Sequence, residues 1–141
     1  MDHESFVARM TALGAAFDSE AKDAGALSKS LIDDISAESV IEGEQIAWAL
    51  HYQFKIYHRD KAWRELFELM NSRGALMVAA GPVNHSYACS LTMEACFHLG
   101  DADGVAHWAL EACRLRAQND RESFEMARDS GLNLLNELGA E

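Results

Sequence analysis

The fold of this chain is decided by residues 74–100, GALMVAAGPVNHSYACSLTMEACFHLG. Across this stretch the only Asp, Glu, Lys or Arg is Glu94, although these residue types make up 25% of the 141-residue chain. A segment with so little charge is expected to be buried on most sides. Its second half, residues 84–99, carries apolar side chains around nearly its whole circumference. That pattern predicts a core helix with neighbours on several faces.

Outside this stretch, apolar residues recur at intervals of three and four, which predicts amphipathic helices, and no segment shows the alternation typical of a strand. The sequence therefore predicts an all-α fold of six to seven helices in one domain spanning residues 1–141. Within it, 1–35 form N-terminal helices, 40–117 two helix-turn-helix pairs, and 120–138 a C-terminal capping helix. The first helix is expected to end near residue 25, and the second to cover 28–35.

Short polar residues and glycines at the predicted helix ends indicate how the helices begin and stop. Gly100 is expected to take a positive φ after the central helix, with an aspartate capping the helix that follows. The other side chains expected to cap helix N-termini are Asp2, Ser39 with Glu42, Asp60, and Asn119 or Asp120.

The composition limits the classes of partner. A formal net charge of −11 disfavours nucleic acid and anionic membranes and would attract a basic partner, although solubility alone also explains it. Residues 1–4 are acidic and no apolar leader follows, so a cytoplasmic protein is expected. Cys89 and Cys96 lie seven residues apart on one predicted helix, too far for a disulfide, and all three cysteines are expected to be reduced and buried.

One part of the sequence resembles a known repeat. The segment Phe97-His98-Leu99-Gly100-Asp101, followed by Val105, Ala112 and Leu115, is similar to tetratricopeptide repeats, in which a Gly-Asp turn joins two closely packed helices. The resemblance covers 84–117. A weaker copy over 40–72, at an offset of 43 residues, matches Ala62 to Val105 but has Tyr57 in place of the turn glycine. The usual tryptophan and closing proline are absent from both copies.

This resemblance implies a right-handed array of antiparallel helix pairs, and an irregular helical bundle is the alternative. It also implies that the first helix of each pair, 40–57 and 84–99, lines a groove for a partner segment. The groove positions carried over from the family are Glu44, His51, Lys55, Tyr87, Ser90, Glu94 and His98. Independently, 100° per residue places Glu44, His51, Lys55 and His58 on one polar helix face, and Tyr87, Glu94 and His98 on another.

Glu94 needs a partner, because an unpaired buried carboxylate is costly. It is expected to be hydrogen-bonded, paired with Arg64 or Arg114, or exposed at a cleft. The spacing of Glu94 and His98 also permits a metal site completed by His51 or His58 from a neighbouring helix, or an enzymatic site with His51, but no cofactor is expected.

These observations favour a non-catalytic module, an adaptor, chaperone or regulator, that binds another protein or peptide in the groove. One alternative is an acidic immunity or antitoxin-like protein that masks a basic toxin. A second is a small metal-binding or enzymatic protein using Glu94, His98 and His51. Homodimerisation through Phe124, Leu134 and Leu138 of the last helix is also possible.

Overall fold

A computed structural model describes residues 2–37, 43–117 and 121–139, and these contain α-helices and one 3-10 helix but no strand. The predicted all-α class is therefore confirmed, and the helix number agrees. In chain order the elements are α1 (His3–Asp18), α2 (Ala24–Ala37), α3 (Gly43–Arg59), α4 (Trp63–Arg73), the 3-10 helix (Gly74–Ala80), α5 (Pro82–His98), α6 (Ala102–Ala117) and α7 (Arg121–Glu137).

Helix α5 is the centre of the structure. It packs against α3, α4, α6, α7 and the 3-10 helix, which explains why its apolar residues are not confined to one stripe. Its buried side chains include Cys89, Leu91, Met93 and Cys96. The prediction of a core helix surrounded on several faces is confirmed.

The first half of the charge-poor stretch is not buried as expected. Residues 74–80 form the 3-10 helix, in which three residues make one turn. Gly74 and Met77 therefore face inward, while Leu76 and Val78 are exposed. The 3-10 helix is therefore buried along one edge only, and the low charge of this segment does not indicate burial on every side.

Two of the predicted turns form as expected. The Asp2 carboxylate accepts a hydrogen bond from the Ser5 N–H at 2.8 Å and begins α1. Gly100 has φ +74°, and Asp101 then accepts from the Gly104 N–H at 2.9 Å at the start of α6.

The predicted cap at Asp60 is wrong. Helix α4 begins at Trp63, and the residue before it, Ala62, makes no capping side-chain hydrogen bond. The chain turns at Lys61, which has φ +56°, before α4 starts, so Asp60 does not precede the first turn of the helix. The Asp60 carboxylate instead accepts a hydrogen bond from Arg59 Nε at 2.9 Å. The caps predicted at Ser39 with Glu42, and at Asn119 or Asp120, lie outside the described residues.

The first two helices also have different bounds from those expected. Helix α1 ends at Asp18, because the chain turns at Ser19 and at Glu20, which has φ +55°. Helix α2 begins at Ala24, so the residues assigned to the end of the first helix belong to a turn and to α2.

The even-numbered helices begin at a regular interval along the chain. Helices α2, α4 and α6 begin at residues 24, 63 and 102, an interval of 39 residues. The offset of 43 residues that matched Val105 to Ala62 is therefore not the spacing of the helices. At 39 residues Val105 corresponds to Leu66, and both side chains are fully buried.

Contacts between helices are local in the chain. In the described residues no α-helix contacts another that is more than two places along, and α3 contacts both α4 and α5, as α5 contacts α6 and α7. Two contacts between α3 and α5, His51 with Tyr87 and His58 with Glu94, each join residues 36 apart. Helices α3 and α5 therefore run side by side in the same direction. The tetratricopeptide-like assignment itself stays a prediction.

Helix α7 packs closely on α6 through a glycine. A Cβ added at Gly131 would lie 2.6 Å from the Ala109 Cβ, so this contact requires the missing side chain. Leu134 and Leu138 pack against the buried cluster that contains Ala109, and Phe124 packs against the main core. The predicted dimer through these three residues stays a prediction, since the chain's own core covers part of each side chain.

Among the described helices, none has both the length and the apolar content needed to cross a lipid bilayer.

Candidate functional site

Three adjoining cavities lie along the odd-numbered helices, and we call this surface the groove. The first cavity, about 380 Å³, lies between α1 and α3; the central cavity, about 300 Å³, lies between α3 and α5; the third, about 510 Å³, lies between α5 and α7. Tyr87 and Arg116 line both the central and the third cavity, and the Trp48 and His51 rings, 5.5 Å apart, separate the first from the central cavity.

A line of exposed large apolar side chains follows this groove at the helix interval of 39 residues. Trp48 in the first cavity, Tyr87 in the central and third cavities and Met126 in the third are 39%, 39% and 60% exposed. Each is followed by a buried alanine, at positions 49, 88 and 127, where the helix packs on the core. Equivalent positions on three helices thus combine a core contact with an apolar side chain left in solvent.

The central cavity joins three of the predicted site residues, His51, Lys55 and Tyr87. The rings of His51 and Tyr87 are 5.8 Å apart. Burial, and secondarily the Lys55 charge, lowers the pKa of His51, which favours the neutral imidazole near pH 7. His51 Nδ1 is buried and has no hydrogen-bond partner among the described residues.

The third cavity contains the predicted residues Ser90, Glu94 and His98, together with Tyr87. Glu94 Oε2 lies 2.8 Å from His58 Nε2, and Glu94 Oε1 lies 3.9 Å from His98 Nε2. Neither Arg64 nor Arg114 is its partner; Arg114 is bonded to Glu111. His58 of α3 is therefore the hydrogen-bond partner of Glu94, the one acid in residues 74–100.

Trp63 packs against both histidines that face Glu94. Its ring stacks on His98 with centroids 4.3 Å apart and planes 6° apart, and it meets the His58 ring edge-on at 5.6 Å. Both imidazoles that face Glu94 are thus held against one indole, so the cluster links α3, α4 and α5. The arrangement is a carboxylate held between two imidazoles on a helix surface.

The metal hypothesis offered His51 or His58 beside Glu94 and His98, and the structure places His58 there and not His51. His51 lies two turns earlier on α3, about 10 Å along the helix axis. In the part of the chain that the structure describes, no group of three or more His, Cys, Asp and Glu side chains is arranged to hold a metal ion.

Glu44 is the predicted site residue that joins neither the central nor the third cavity. It is exposed in the first turn of α3, two turns before His51. It shares a helix face with His51, but the cavities are formed where neighbouring helices meet, and sequence periodicity on a single helix does not locate those places.

Sequence reasoning missed the contributions of α1, α6 and α7 to the groove, and also some groove residues of α3 and α5. The residues it missed include Val7 and Trp48 in the first cavity, Arg116 in the central and third cavities, and Met93, Met126 and Leu134 in the third. The recurrence of a large apolar residue followed by alanine at 48, 87 and 126 was the available signal. It is visible only at the 39-residue offset.

The three cysteines are free and buried, as expected. Burial raises the pKa of Cys89 to about 12 and that of Cys96 to about 11, and it also raises the pKa of Cys113. These thiols stay protonated at neutral pH, and a protonated, buried thiol is a poor nucleophile.

Comparison with known proteins finds no matching family model, no matching curated protein and no matching solved structure. The functional argument therefore depends on the groove itself.

Proposed function

We propose that this protein is a non-catalytic interaction module that binds a segment of a partner protein in the groove along α1, α3, α5 and α7. The observation that carries the proposal is the line of exposed Trp48, Tyr87 and Met126, spaced 39 residues apart and facing adjoining cavities. Tryptophan, tyrosine and methionine are enriched at protein interfaces, and aromatic residues often supply most of the binding energy.

The regular spacing and local contacts of the helices support the resemblance to helical-repeat proteins. In such proteins each unit packs only on its neighbours and the array presents one extended binding face. The 39-residue interval is longer than the tetratricopeptide unit of about 34 residues, so the proposal rests on repeat architecture in general. Three free, buried cysteines suit a reducing compartment, and the proposal places the protein in the cytoplasm.

Site-specific photo-crosslinking tests the proposal. Benzoylphenylalanine at position 87 places a reactive group in the groove, and the same residue at position 110 provides the control. Leu110 is also apolar and is 71% exposed, but it lies on α6 and lines none of the three cavities. A partner crosslinked from position 87 but not from position 110 would be identified by mass spectrometry and then purified.

Affinity for that purified partner is the deciding measurement. We expect Trp48→Ala and Tyr87→Ala each to weaken binding by at least about tenfold, because truncation of an aromatic hot spot costs about 2 kcal/mol or more. Leu110→Ala should bind like the wild type. Equal binding by all three variants would contradict the proposal.

The net charge of −11 favours a second candidate, an immunity or antitoxin-like protein that masks a basic partner. That function predicts affinity that falls steeply with salt, since exposed charges are screened beyond about 10 Å at 0.1 M. It also predicts no dependence on Trp48 or Tyr87. Repeating the affinity measurement at several salt concentrations separates the two candidates.

A further inference from the structure

The central cavity has a charge opposite to that of the whole chain. Lys55 and Arg116 line it, and none of the residues found in its lining is an aspartate or glutamate. The chain as a whole has 23 acids and 12 bases. A cavity with two cations and no acid is therefore a local exception in an acidic protein.

Both cations are held in position by neutral groups. Lys55 Nζ lies 4.7 Å from the centroid of the Phe17 ring and 5.2 Å from that of Tyr52, within cation–π range. Arg116 Nε donates to Ser86 Oγ at 3.2 Å. No carboxylate pairs with either cation in the described part of the chain. The other guanidinium N–H groups of Arg116 can therefore donate to a ligand, and Arg binds carboxylates well in this way.

The place of this cavity in the groove limits the shape of the ligand. The first and third cavities adjoin it on either side and present Trp48 and Met126. A segment that contacts both of these side chains passes through the central cavity and continues in both directions. An acidic side chain within the segment fits this geometry, and the carboxylate at the end of a chain does not.

We propose that the ligand of the groove is a peptide segment that places an internal aspartate or glutamate side chain against Lys55 and Arg116, with apolar side chains before and after it. This inference rests on the proposed function, since it names the chemistry of the same groove. It reverses the expectation of a basic partner drawn from net charge, because the two cations lie within contact distance of the ligand. Glu94, the acid found in the groove lining, belongs to the adjoining third cavity and is bonded to His58, and acids outside the groove are screened by solvent.

Synthetic peptide pools test the inference. Each pool holds nine-residue peptides with neutral residues at all varied positions and a fixed central residue, Glu, Gln or Lys, acetylated and amidated at the ends. A fourth pool has central Gln and a free C-terminal carboxylate. Retention of each pool on immobilised protein is measured by mass spectrometry at 0.1 M salt.

Four variants accompany the wild type, each checked by thermal unfolding. Lys55→Met with Arg116→Met removes both cations, and Lys55→Arg with Arg116→Lys keeps them. Lys22→Met with Arg64→Met is the matched control, because these exposed cations lie outside the central cavity and their loss changes the net charge equally. Trp48→Ala with Tyr87→Ala reports whether retention depends on the groove.

We expect the Glu-centred pool to be retained at least about tenfold more than the Gln-centred pool, as hydrogen bonds to charged groups imply. Lys55→Met with Arg116→Met should abolish the preference, and the charge-keeping and control variants should preserve it. Equal retention, or a preference for central Lys, that still depends on Trp48 and Tyr87 would overturn the inference and leave the proposed function standing. Preference for the free-carboxylate pool would overturn the assignment of an internal acidic side chain. Loss of all groove-dependent retention would overturn both this inference and the proposed function.

Discussion

The indole of Trp63 and the imidazole of His98 lie face to face, 4.3 Å between ring centroids, and so join the start of α4 to the end of α5. The same indole meets His58 of α3 edge-on. One half-buried side chain thus connects three consecutive helices on the side where Glu94 lies between two histidines.

Replacement of this indole should weaken the fold. We expect Trp63→Ala to lower the free energy of unfolding by about 1–3 kcal/mol, less than for a fully buried aromatic because the side chain is only partly buried. Trp48→Ala, a truncation of the same residue type in the groove, should cost less than about 1 kcal/mol. Urea unfolding followed by circular dichroism measures both. A larger loss of unfolding free energy for Trp48→Ala than for Trp63→Ala would contradict the assignment of Trp63 to the fold and Trp48 to binding.

The contact of Gly131 with Ala109 gives a second prediction. Gly131→Ala should destabilise the protein by about 1–3 kcal/mol, because overpacking outweighs the gain of about 1 kcal/mol in helix propensity. The added Cβ would be 2.6 Å from the Ala109 Cβ, whereas a Cβ at Gly25 would have an ordinary 3.6 Å contact with Ile56.

Gly25→Ala is therefore the matched control and should be neutral or stabilising. Combining Gly131→Ala with Ala109→Gly should restore most of the lost stability, as measured by thermal unfolding. Without such a rescue, the loss would have to come from somewhere other than the contact between α6 and α7.

Buried histidines predict a dependence of stability on pH. Burial lowers the pKa of His85 and of His51 below the ordinary value of 6.5. The folded state then binds fewer protons than the unfolded state, so stability is complete above pH 6.5 and is lost as the pH falls toward the lowered values.

We expect the urea midpoint to fall between pH 7.5 and pH 5.5, and the fall to be smaller for the variant His51→Gln with His85→Gln. The pKa of Glu111 is lowered mainly by its hydrogen bond to Arg114. The stability that this carboxylate provides is present above its ordinary pKa of 4.5 and is lost only below it, so Glu111 does not affect the fall between pH 7.5 and pH 5.5. The same fall in the variant and the wild type would rule out these two histidines as the source.

The thiols should be protected in the folded protein. Because Cys89 and Cys96 are buried and their pKa values are raised to about 12 and about 11, we expect Ellman's reagent at pH 8 to react at least about 100-fold more slowly with folded protein than with a free thiol. In guanidinium chloride all three cysteines should react at once. Rapid reaction of one thiol in the native protein would show that its helix opens readily.

The sequence was sufficient to identify the central helix and several of its neighbours. Composition alone located α5, because a helix surrounded by other helices cannot carry many charges. Asp2 and Gly100 marked their helix ends correctly, since the chemistry that determines a cap or a positive φ is local.

Part of the lining of the groove was predicted, and its role in binding stays a prediction. His51, Lys55, Tyr87, Ser90, Glu94 and His98 all line the groove, because helix periodicity places residues on the correct face. Arg116 and Met126 were missed, since they reach the groove from other helices and only the packing of α6 and α7 on α5 brings them there. His58 was expected on the polar face of α3, but its pairing with Glu94 depends on the register between two helices.

The local pattern of helix contacts has a kinetic consequence. Since no described α-helix contacts another more than two places along the chain, few long loops must close before native contacts form. Helical proteins whose contacts are mostly local fold faster than proteins with distant strand pairings. Helix α5, with neighbours on both sides in the chain, is where folding would begin, and α1 and α7 would exchange their amide hydrogens first.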